Sequence, residues 1–241
     1  MIEHCIPYFI TGKCPQITLK DNRGESINLN NYYDKTYKDS LHQDIMELNG
    51  RQYTLYHMLL TEGADKHELH LCANNREVKS FSLSNYISNL NKKLVNNEGI
   101  YYYYVGYLAG EYLDEAVNTE RSDFVFSDGP LFNDTKESEI LESAIRFVHT
   151  YLSEDLTKIA DEKKFQIDML VNSKRPQYRL LLNKHPEVYD KIPAGLTEDK
   201  MDLELYKEQQ QWELDTARKK HDIEEKVKQD ATSEEREFFS S

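Results

Sequence analysis

The composition of the chain changes sharply near residue 137, and this change limits the folds open to it. Before that point the sequence is rich in tyrosine, asparagine and β-branched residues, which favour strands and turns. After it, strong helix formers dominate. We therefore expect an α+β domain over residues 1–135, a helical segment over 136–192, and a charged helix over 193–241 that is frayed or depends on a partner.

Apolar runs bounded by turn residues predict the strands Gln16–Leu19, Gln52–Leu60, Glu68–Ala73, Ile100–Leu108 and Phe124–Phe126. Between the third and fourth runs, leucine and isoleucine recur at helical spacing, which predicts a helix over Ser82–Val95. A strand, helix, strand unit of this length closes as a right-handed crossover. The predicted fold class is α+β, with a right-handed β-α-β crossover followed by an α-helical extension.

The second half of the chain predicts helices of different kinds. A turn at Ser127-Asp128-Gly129-Pro130 precedes an amphipathic helix over Glu137–Lys158. Residues 165–189 are interrupted by two prolines, so we expect two or three short helices there. From Thr197 to Lys228 a charged helix follows, whose apolar residues are too sparse for a core of its own.

The charge of the chain excludes some classes of partner. There are 43 acidic and 30 basic residues, giving a formal net charge of -13, which opposes broad binding to nucleic acid or anionic membrane. The three cysteines form no zinc-ligand spacing, and no apolar stretch is long enough for a membrane span. The start, Met1-Ile2-Glu3-His4, lacks the cationic then apolar order of a signal peptide. We therefore predict a cytoplasmic protein.

Two segments carry a resemblance to a known family. Residues 69–78 contain Asn75-Arg76-Glu77-Val78, and residues 113–126 end in Arg121-Ser122-Asp123-Phe124-Val125-Phe126. The first resembles the strand and turn of the transducer domain in MutL-type ATPases of the GHKL superfamily. The second resembles that family's lysine-containing motif over eleven positions without a gap. Arg121 falls on the family lysine, whereas Asn118 and Thr119 replace its His-Pro.

This resemblance implies a function. In the superfamily a basic residue of the second domain reaches the γ-phosphate of ATP held by the ATPase domain, which implies that Arg121 does so here, next to Asn118 and Thr119. Asn75 and Arg76 would then contact the ATPase domain or a partner. A cation at the terminal phosphate stabilises charge developing there and distinguishes ATP from ADP. The whole chain also resembles bacterial proteins described as Hsp90-like or MORC-like.

The nucleotide pocket of that superfamily has no counterpart in this sequence. It needs an asparagine on an early helix, an aspartate followed by glycines, and glycine-rich lid motifs, whereas this chain has only 9 glycines and none in that order. We therefore expect ATP and Mg²⁺ to be bound by an upstream domain of a longer parent chain, and the isolated chain to be inactive as an ATPase.

Simpler interpretations stay open beside these hypotheses. Arg121 could be a surface arginine paired with Glu120 or Asp123. Asn74 and Asn75 are typical turn formers. His67 and His70 lie three apart on a strand and so point to opposite faces, which opposes a shared metal ion. The alternation of Tyr101–Tyr104 is explained by a core face and an exposed face rather than by base stacking.

The helical part has its own alternatives. The cations Lys174, Arg175, Arg179 and Lys184 could contact nucleic acid, although salt-bridged helices explain them as well. The charged C-terminal helix could form a homodimer or bind a partner through Leu203, Trp212 and Leu214. The competing function is thus a non-enzymatic protein or nucleic-acid interaction module, and no nucleophile and base set suggests an independent enzyme.

Overall fold

The computed structural model describes residues 6–12, 14–96, 98–126 and 135–239, and the side chains of these residues up to 226 except that of Asp39. Residues 1–159 and 160–241 form two compact units. The α+β class is confirmed. The predicted turn at residues 127–130 lies outside the described residues.

The first unit is built on a mixed sheet. Its strands are β3 (His42–Leu48), β4 (Arg51–Leu60), β5 (Glu68–Ala73), β6 (Arg76–Ser82), β7 (Leu94–Val95) and β8 (Tyr101–Ala109), and a separate hairpin pairs β1 (Thr18–Lys20) with β2 (Ser26–Asn28). The order in the large sheet is β3-β4-β8-β5-β6, with β7 also paired to β8. Only β5 and β8 are parallel among these pairs, in register from Glu68 opposite Val105 to Leu71 opposite Leu108.

Both faces of this sheet are covered. The helices α1 (Ile6–Ile10) and α2 (Leu29–Thr36) pack on one face, where Phe9 and Tyr33 join a core that includes Met58 and Tyr107. The helix α4 (Glu137–Tyr151) buries an apolar stripe that includes Ile140 and contacts β3. The central strand β8 is therefore almost wholly buried, and Tyr101–Tyr104 alternate between exposed and buried positions as predicted.

The predicted crossover helix is wrong. Residues 82–95 contain a 3₁₀ turn at Leu83–Asn85, further turns, and the short strand β7, with no α-helix. The four apolar residues at helical spacing are all buried, so their spacing indicated buried positions and not an α-helix. Most of the polar positions between them are serine and asparagine. Such side chains bond to nearby backbone groups, as Asn91 Nδ2 does to Ser88 O at 2.7 Å, and so compete with helix formation.

Several strands differ from expectation. The strands β2, β3, β6 and β7 were not predicted, and β1 begins two residues later than the predicted strand Gln16–Leu19. The predicted strand Phe124–Phe126 is reduced to a single bridge between Val117 and Phe124. The helix predicted over Glu137–Lys158 breaks at Leu152, where α5 (Ser153–Ser173) follows α4.

The second unit consists of helices around its own apolar core. After α5 come a 3₁₀ turn at Pro176–Tyr178, α6 (Arg179–Lys184), α7 (Val188–Lys191) and α8 (Glu198–Phe239). Of the stretch 165–189, for which two or three short helices were expected, residues 165–173 belong to the long α5, and the short helices α6 and α7 follow Pro176 and Pro186. The core includes Ile167, Tyr178 and Leu205, and the buried Lys163 donates to Ile192 O at 2.9 Å. No helix in the described part of the chain is both long and apolar enough to cross a bilayer.

Candidate functional site

The first predicted segment forms a hairpin turn, which we define as Asn74 and Asn75 between β5 and β6. Ala73 pairs with Arg76, so the loop has two residues, and their φ angles are 51° and 63°. Two-residue loops with positive φ at both positions fit the twist of a hairpin, and asparagine tolerates that region better than most residues. The role of Asn74 and Asn75 as turn formers is confirmed.

The hairpin turn is held by its neighbours. The backbone N–H of Asn74 donates to Asp114 Oδ1 at 2.6 Å, and Asp114 lies on α3 (Glu111–Ala116). Arg76 Nε donates to Tyr8 Oη at 2.9 Å, so this arginine is engaged within the chain. Asn75 lines a cleft beside Asp114. The structure therefore places the two predicted contact residues at one edge of the sheet, where Arg76 is exposed and bonded to Tyr8, and Asn75 is half-buried in the cleft lining.

The second segment forms what we call the arginine loop, residues 117–124. The bridge between Val117 and Phe124 closes it, and Asn118 N donates to Asp123 O at 2.9 Å. The Asn118 side chain then holds the loop from within, because its Oδ1 accepts from Ser122 N at 2.9 Å and from Asp123 N at 3.4 Å. Asn118 is thus a positioning residue for the loop backbone.

Arg121 lies at the exposed part of this loop. Its φ is 55°, and its N–H donates to Asn118 O at 3.0 Å. Arg121 and Thr119 are both exposed. Within the described residues, the Arg121 guanidinium makes no hydrogen bond or ion pair, so neither Glu120 nor Asp123 holds it. The loop therefore has a fixed backbone and a cation that is open to solvent.

Lys79 on β6 joins the arginine loop to α4. Its Nζ lies 2.8 Å from Glu137 Oε2 and 3.4 Å from Asp123 Oδ1. The hydrogen bond to Glu137, helped by the charge of Asp123, raises the pKa of Lys79. The backbone N–H of Phe124 and the charge of Lys79 lower the pKa of Asp123. Sequence reasoning missed Lys79 because β6 was not predicted.

The two predicted segments are thus in contact with each other. Asp114 of the second segment binds the hairpin turn of the first, and Asp123 binds Lys79 on the strand that leaves that turn. The two asparagines marked a turn in the sequence, but the strand that follows that turn was not predicted. The edge of the sheet, the arginine loop and the first residue of α4 therefore form one connected polar surface.

A second polar cluster lies under α4. His57 is fully buried, with Nδ1 2.8 Å from Tyr104 Oη and Nε2 3.2 Å from Asp44 Oδ2. The Tyr151 ring stacks on the imidazole at 4.3 Å. Burial lowers the pKa of His57 to about 4, outweighing the charge of Asp44, and burial raises the pKa of Tyr104. His57 is therefore neutral at pH 7, and the Tyr104 hydroxyl can donate to Nδ1.

Of two further buried histidines of the sheet, His67 is hydrogen-bonded through both ring nitrogens and His70 lies beside carboxylates. His67 Nδ1 accepts from Tyr104 N at 2.9 Å, so its Nε2–H donates to Lys92 O at 2.8 Å. His70 Nδ1 lies 3.1 Å from Glu77 Oε1. In residues 6–239, leaving out those not described, no group of three or more metal-ligating side chains is found.

The cations of the second unit face acidic residues of α8. Lys174 pairs with Glu198, Arg175 Nε lies 2.8 Å from Asp202 Oδ2, and Lys191 Nζ lies 2.8 Å from Glu208 Oε2. Arg179 donates to a backbone carbonyl, that of Asn172, at 3.4 Å. Of the four cations predicted to contact nucleic acid, two are therefore neutralised within the unit by acidic side chains.

Comparisons with protein-family models, with curated proteins and with solved structures find no match to this chain. The resemblance to MutL-type ATPases therefore stays a hypothesis, which depends on the residues of the two segments and on the geometry of the arginine loop.

Proposed function

We propose that this chain is the transducer part of a GHKL-type ATPase. In this proposal Arg121 contacts the γ-phosphate of ATP, which a neighbouring domain holds together with Mg²⁺. Thr119, exposed on the same loop, would add a hydroxyl near the phosphate. The chain would couple ATP binding and hydrolysis to its helices and would perform no chemistry alone.

The observation that carries the proposal is the conformation of Arg121. A left-handed backbone costs an L-residue other than glycine about 1–2 kcal/mol, and it is usually carried by glycine or asparagine. Here an arginine carries it, held by the Asn118 carbonyl and by the side-chain bonds of Asn118. The fixed backbone sets where the Arg121 side chain starts, and its guanidinium, unpaired in the described residues, is available to stabilise charge on a transferring phosphoryl group.

A route from the loop to the helices is also present. Arg121 is two residues from Asp123, which Lys79 joins to Glu137, the first residue of α4. A loop drawn toward a phosphate would change the distance between Asp123 and Lys79, and hence the position of the α4 N-terminus. Ligand binding shifts such an equilibrium only through contacts that differ between the two states, and the Arg121–phosphate contact would be one.

The test uses the parent chain that carries the upstream ATPase domain. Its ATPase rate is measured for the unchanged protein and for Arg121→Ala, Arg121→Lys and the exposed control Arg23→Ala. We expect Arg121→Ala to lower turnover by roughly tenfold or more, because one preorganised cation is lost from the transition state. Arg121→Lys should keep part of the rate, since an ammonium also binds phosphate, as a point charge and not a fork.

Two results would overturn this proposal. If no nucleotide-binding domain is encoded in frame upstream of residue 1 and none binds the chain in trans, there is no phosphate for Arg121 to contact. If such a domain exists and the rate of Arg121→Ala equals that of Arg23→Ala, Arg121 is only a surface residue.

A second candidate function is an interaction module built on α8. Leu203, Tyr206 and Leu214 are exposed on one side of this helix, whereas Met201 and Leu205 are buried on the opposite side. An exposed apolar stripe favours a partner or a homodimer. Sedimentation equilibrium of the chain and of Leu203→Glu with Leu214→Glu tests the homodimer, which the double substitution should dissociate.

A further inference from the structure

A half-open cleft of about 250 Å³ lies beside the hairpin turn. Its floor is apolar and comes from α1 and from the strands β5 and β8. The residues that form it are Ile10, Cys72, Tyr107 and Ala109, of which Cys72 and Tyr107 are buried. The volume is below that of a typical site for a drug-sized ligand, so the cleft suits a single side chain or a small molecule.

The mouth of the cleft is acidic. Glu111 and Asp114 of α3 line it, and none of the described lining residues is a lysine, arginine or histidine. Asp114 uses Oδ1 to accept from Asn74 N, which fixes the carboxylate in place and leaves its second oxygen to face other donors. The two carboxylates and the apolar floor are independent features that meet in one cavity.

The two cations next to the cleft are bonded to other groups. A neighbouring cavity shares Glu111 with the cleft and adds Arg51 and Glu115. The Arg51 guanidinium lies 3.6 Å over the Tyr112 ring and 3.8 Å from Glu115 Oε2. The exposed Arg76, which follows Asn75, donates from Nε to Tyr8 Oη at 2.9 Å. Neither arginine pairs with Glu111 or Asp114 in the described contacts, so both carboxylates can accept from a bound cation.

We propose that the cleft binds an alkyl cation, that is, a guanidinium or ammonium group on an apolar stem. The stem would cover Tyr107 and Ala109, and the cation would donate to Glu111 and Asp114. An anion of the same shape is repelled by both carboxylates, and a neutral alkyl chain leaves them without a new donor. This inference concerns a different surface from the arginine loop and does not depend on ATP.

The experiment uses the full chain with isotope-labelled backbone amides. It is titrated with n-butylguanidinium, with n-pentanol and with pentanoate, and the amide resonances of Thr54, Cys72 and Asn75 are followed by NMR. We expect saturable shifts with n-butylguanidinium, weaker shifts with n-pentanol, and none with pentanoate. If n-pentanol binds as tightly as n-butylguanidinium, or if neither causes saturable shifts, the cation site is refuted.

Matched variants test the carboxylates. Glu111→Gln with Asp114→Asn removes both charges while the Asn amide oxygen can still accept from Asn74 N. Charge-assisted hydrogen bonds are about twice as strong as neutral ones, so this double substitution should weaken n-butylguanidinium binding by roughly fivefold or more. The exposed control Glu47→Gln should leave the affinity unchanged. Equal affinity of the double variant and the unchanged chain would refute the proposal.

The same titration distinguishes two sources of the cation. A capped peptide with one central arginine that binds more tightly than n-butylguanidinium supports the site as one for a polypeptide side chain. The reverse order supports it as a site for a small free cation. Both orders retain the alkyl cation and its contacts with Glu111 and Asp114.

Discussion

The hairpin turn and the arginine loop both contain residues with positive φ, but the residue types at those positions differ. In the hairpin turn the positive φ angles belong to Asn74 and Asn75, whose side chains suit that region. In the arginine loop Asn118 supplies the hydrogen bonds, and the positive φ belongs to Arg121. Backbone geometry explains the residues of the hairpin turn. It does not explain why Arg121 occupies a position with positive φ, and the proposed phosphate contact would supply a reason.

Both turns depend on the folded sheet, and we expect acid to lower the unfolding free energy of the chain more than any substitution considered below. The pKa of His57 is about 4 in the fold against an ordinary value of 6.5, so its stabilising contribution is complete above pH 6.5 and is lost as the pH falls toward 4. The difference corresponds to about 3 kcal/mol of unfolding free energy between pH 7 and pH 4. Urea unfolding at a series of pH values measures it.

The control for this prediction is a pair of histidine variants. His57→Gln should flatten the pH dependence between pH 7 and pH 4, although it also lowers stability at pH 7. His221→Gln removes an exposed histidine of α8, far along the chain from the His57 cluster, and should leave the slope close to that of the unchanged chain. A slope that His57→Gln does not alter would show that other groups cause the acid sensitivity.

The next largest expected effect is a difference in ATPase turnover between a variant of the arginine loop and a variant of the hairpin turn. In the parent ATPase, Arg121→Ala should lower turnover by roughly tenfold or more, about 1.4 kcal/mol in the activation free energy. Asn75→Gly keeps the left-handed backbone of the hairpin turn and should change turnover less than about twofold, because glycine adopts positive φ readily. Equal losses in the two variants would remove the distinction between the turns.

The sequence predicted the hairpin turn and the helical second half but misjudged what lies between β5 and β8. The spacing of Leu83, Ile87, Leu90 and Leu94 was correct as a signal of burial, since all four are buried. Periodicity alone could not reveal that β6 returns along the sheet first, because strand pairing is a tertiary property. The polar contacts of Lys79 depend on that pairing and so could not be predicted either.

For the candidate site, the resemblance named Arg121, whose role stays a prediction, and nothing in the sequence explained its exposure. The resemblance placed it beside Asn118 and Thr119, and the structure shows that Asn118 holds the loop backbone. An arginine with positive φ produces no periodic pattern in the sequence, because hydrogen bonds from neighbouring residues impose its backbone conformation. Likewise, His57 and Asp44 are 13 positions apart and meet only because β3 pairs with β4.

Loss of the Asn118 side chain should loosen the arginine loop. In Asn118→Ala the amides of Ser122 and Asp123 lose their acceptor, and a net hydrogen bond contributes about 1 kcal/mol. We expect amide exchange of Ser122 to accelerate by roughly fivefold, with little change in global stability. Asn118→Asp keeps the acceptor oxygen and should retain protection. Unchanged exchange in Asn118→Ala would mean that the backbone alone fixes the loop.

Arg121→Gly should make the chain more stable while it lowers activity. Glycine removes the steric penalty of positive φ but adds freedom to the unfolded chain, so we expect a net gain of about 0.5–1 kcal/mol in unfolding free energy. Arg121→Asn should give a smaller gain. Urea denaturation measures both, and a destabilised Arg121→Gly would indicate that the guanidinium supports the fold and not a phosphate.

Lys79→Met should have the smallest effect on stability and tests the link between the loop and α4. Lys79 and Glu137 are both about one-third exposed on their side chains, and solvent screens such pairs, so we expect a loss of about 0.5 kcal/mol. The N-terminus of α4 should nevertheless exchange its amides faster, because Glu137 loses its cation. Lys79→Arg keeps a cation between Glu137 and Asp123 and should preserve protection. If Lys79→Met leaves amide exchange at α4 unchanged, the loop and the helix are not coupled through this residue. A change at Arg121 would then not reach α4 by way of Lys79.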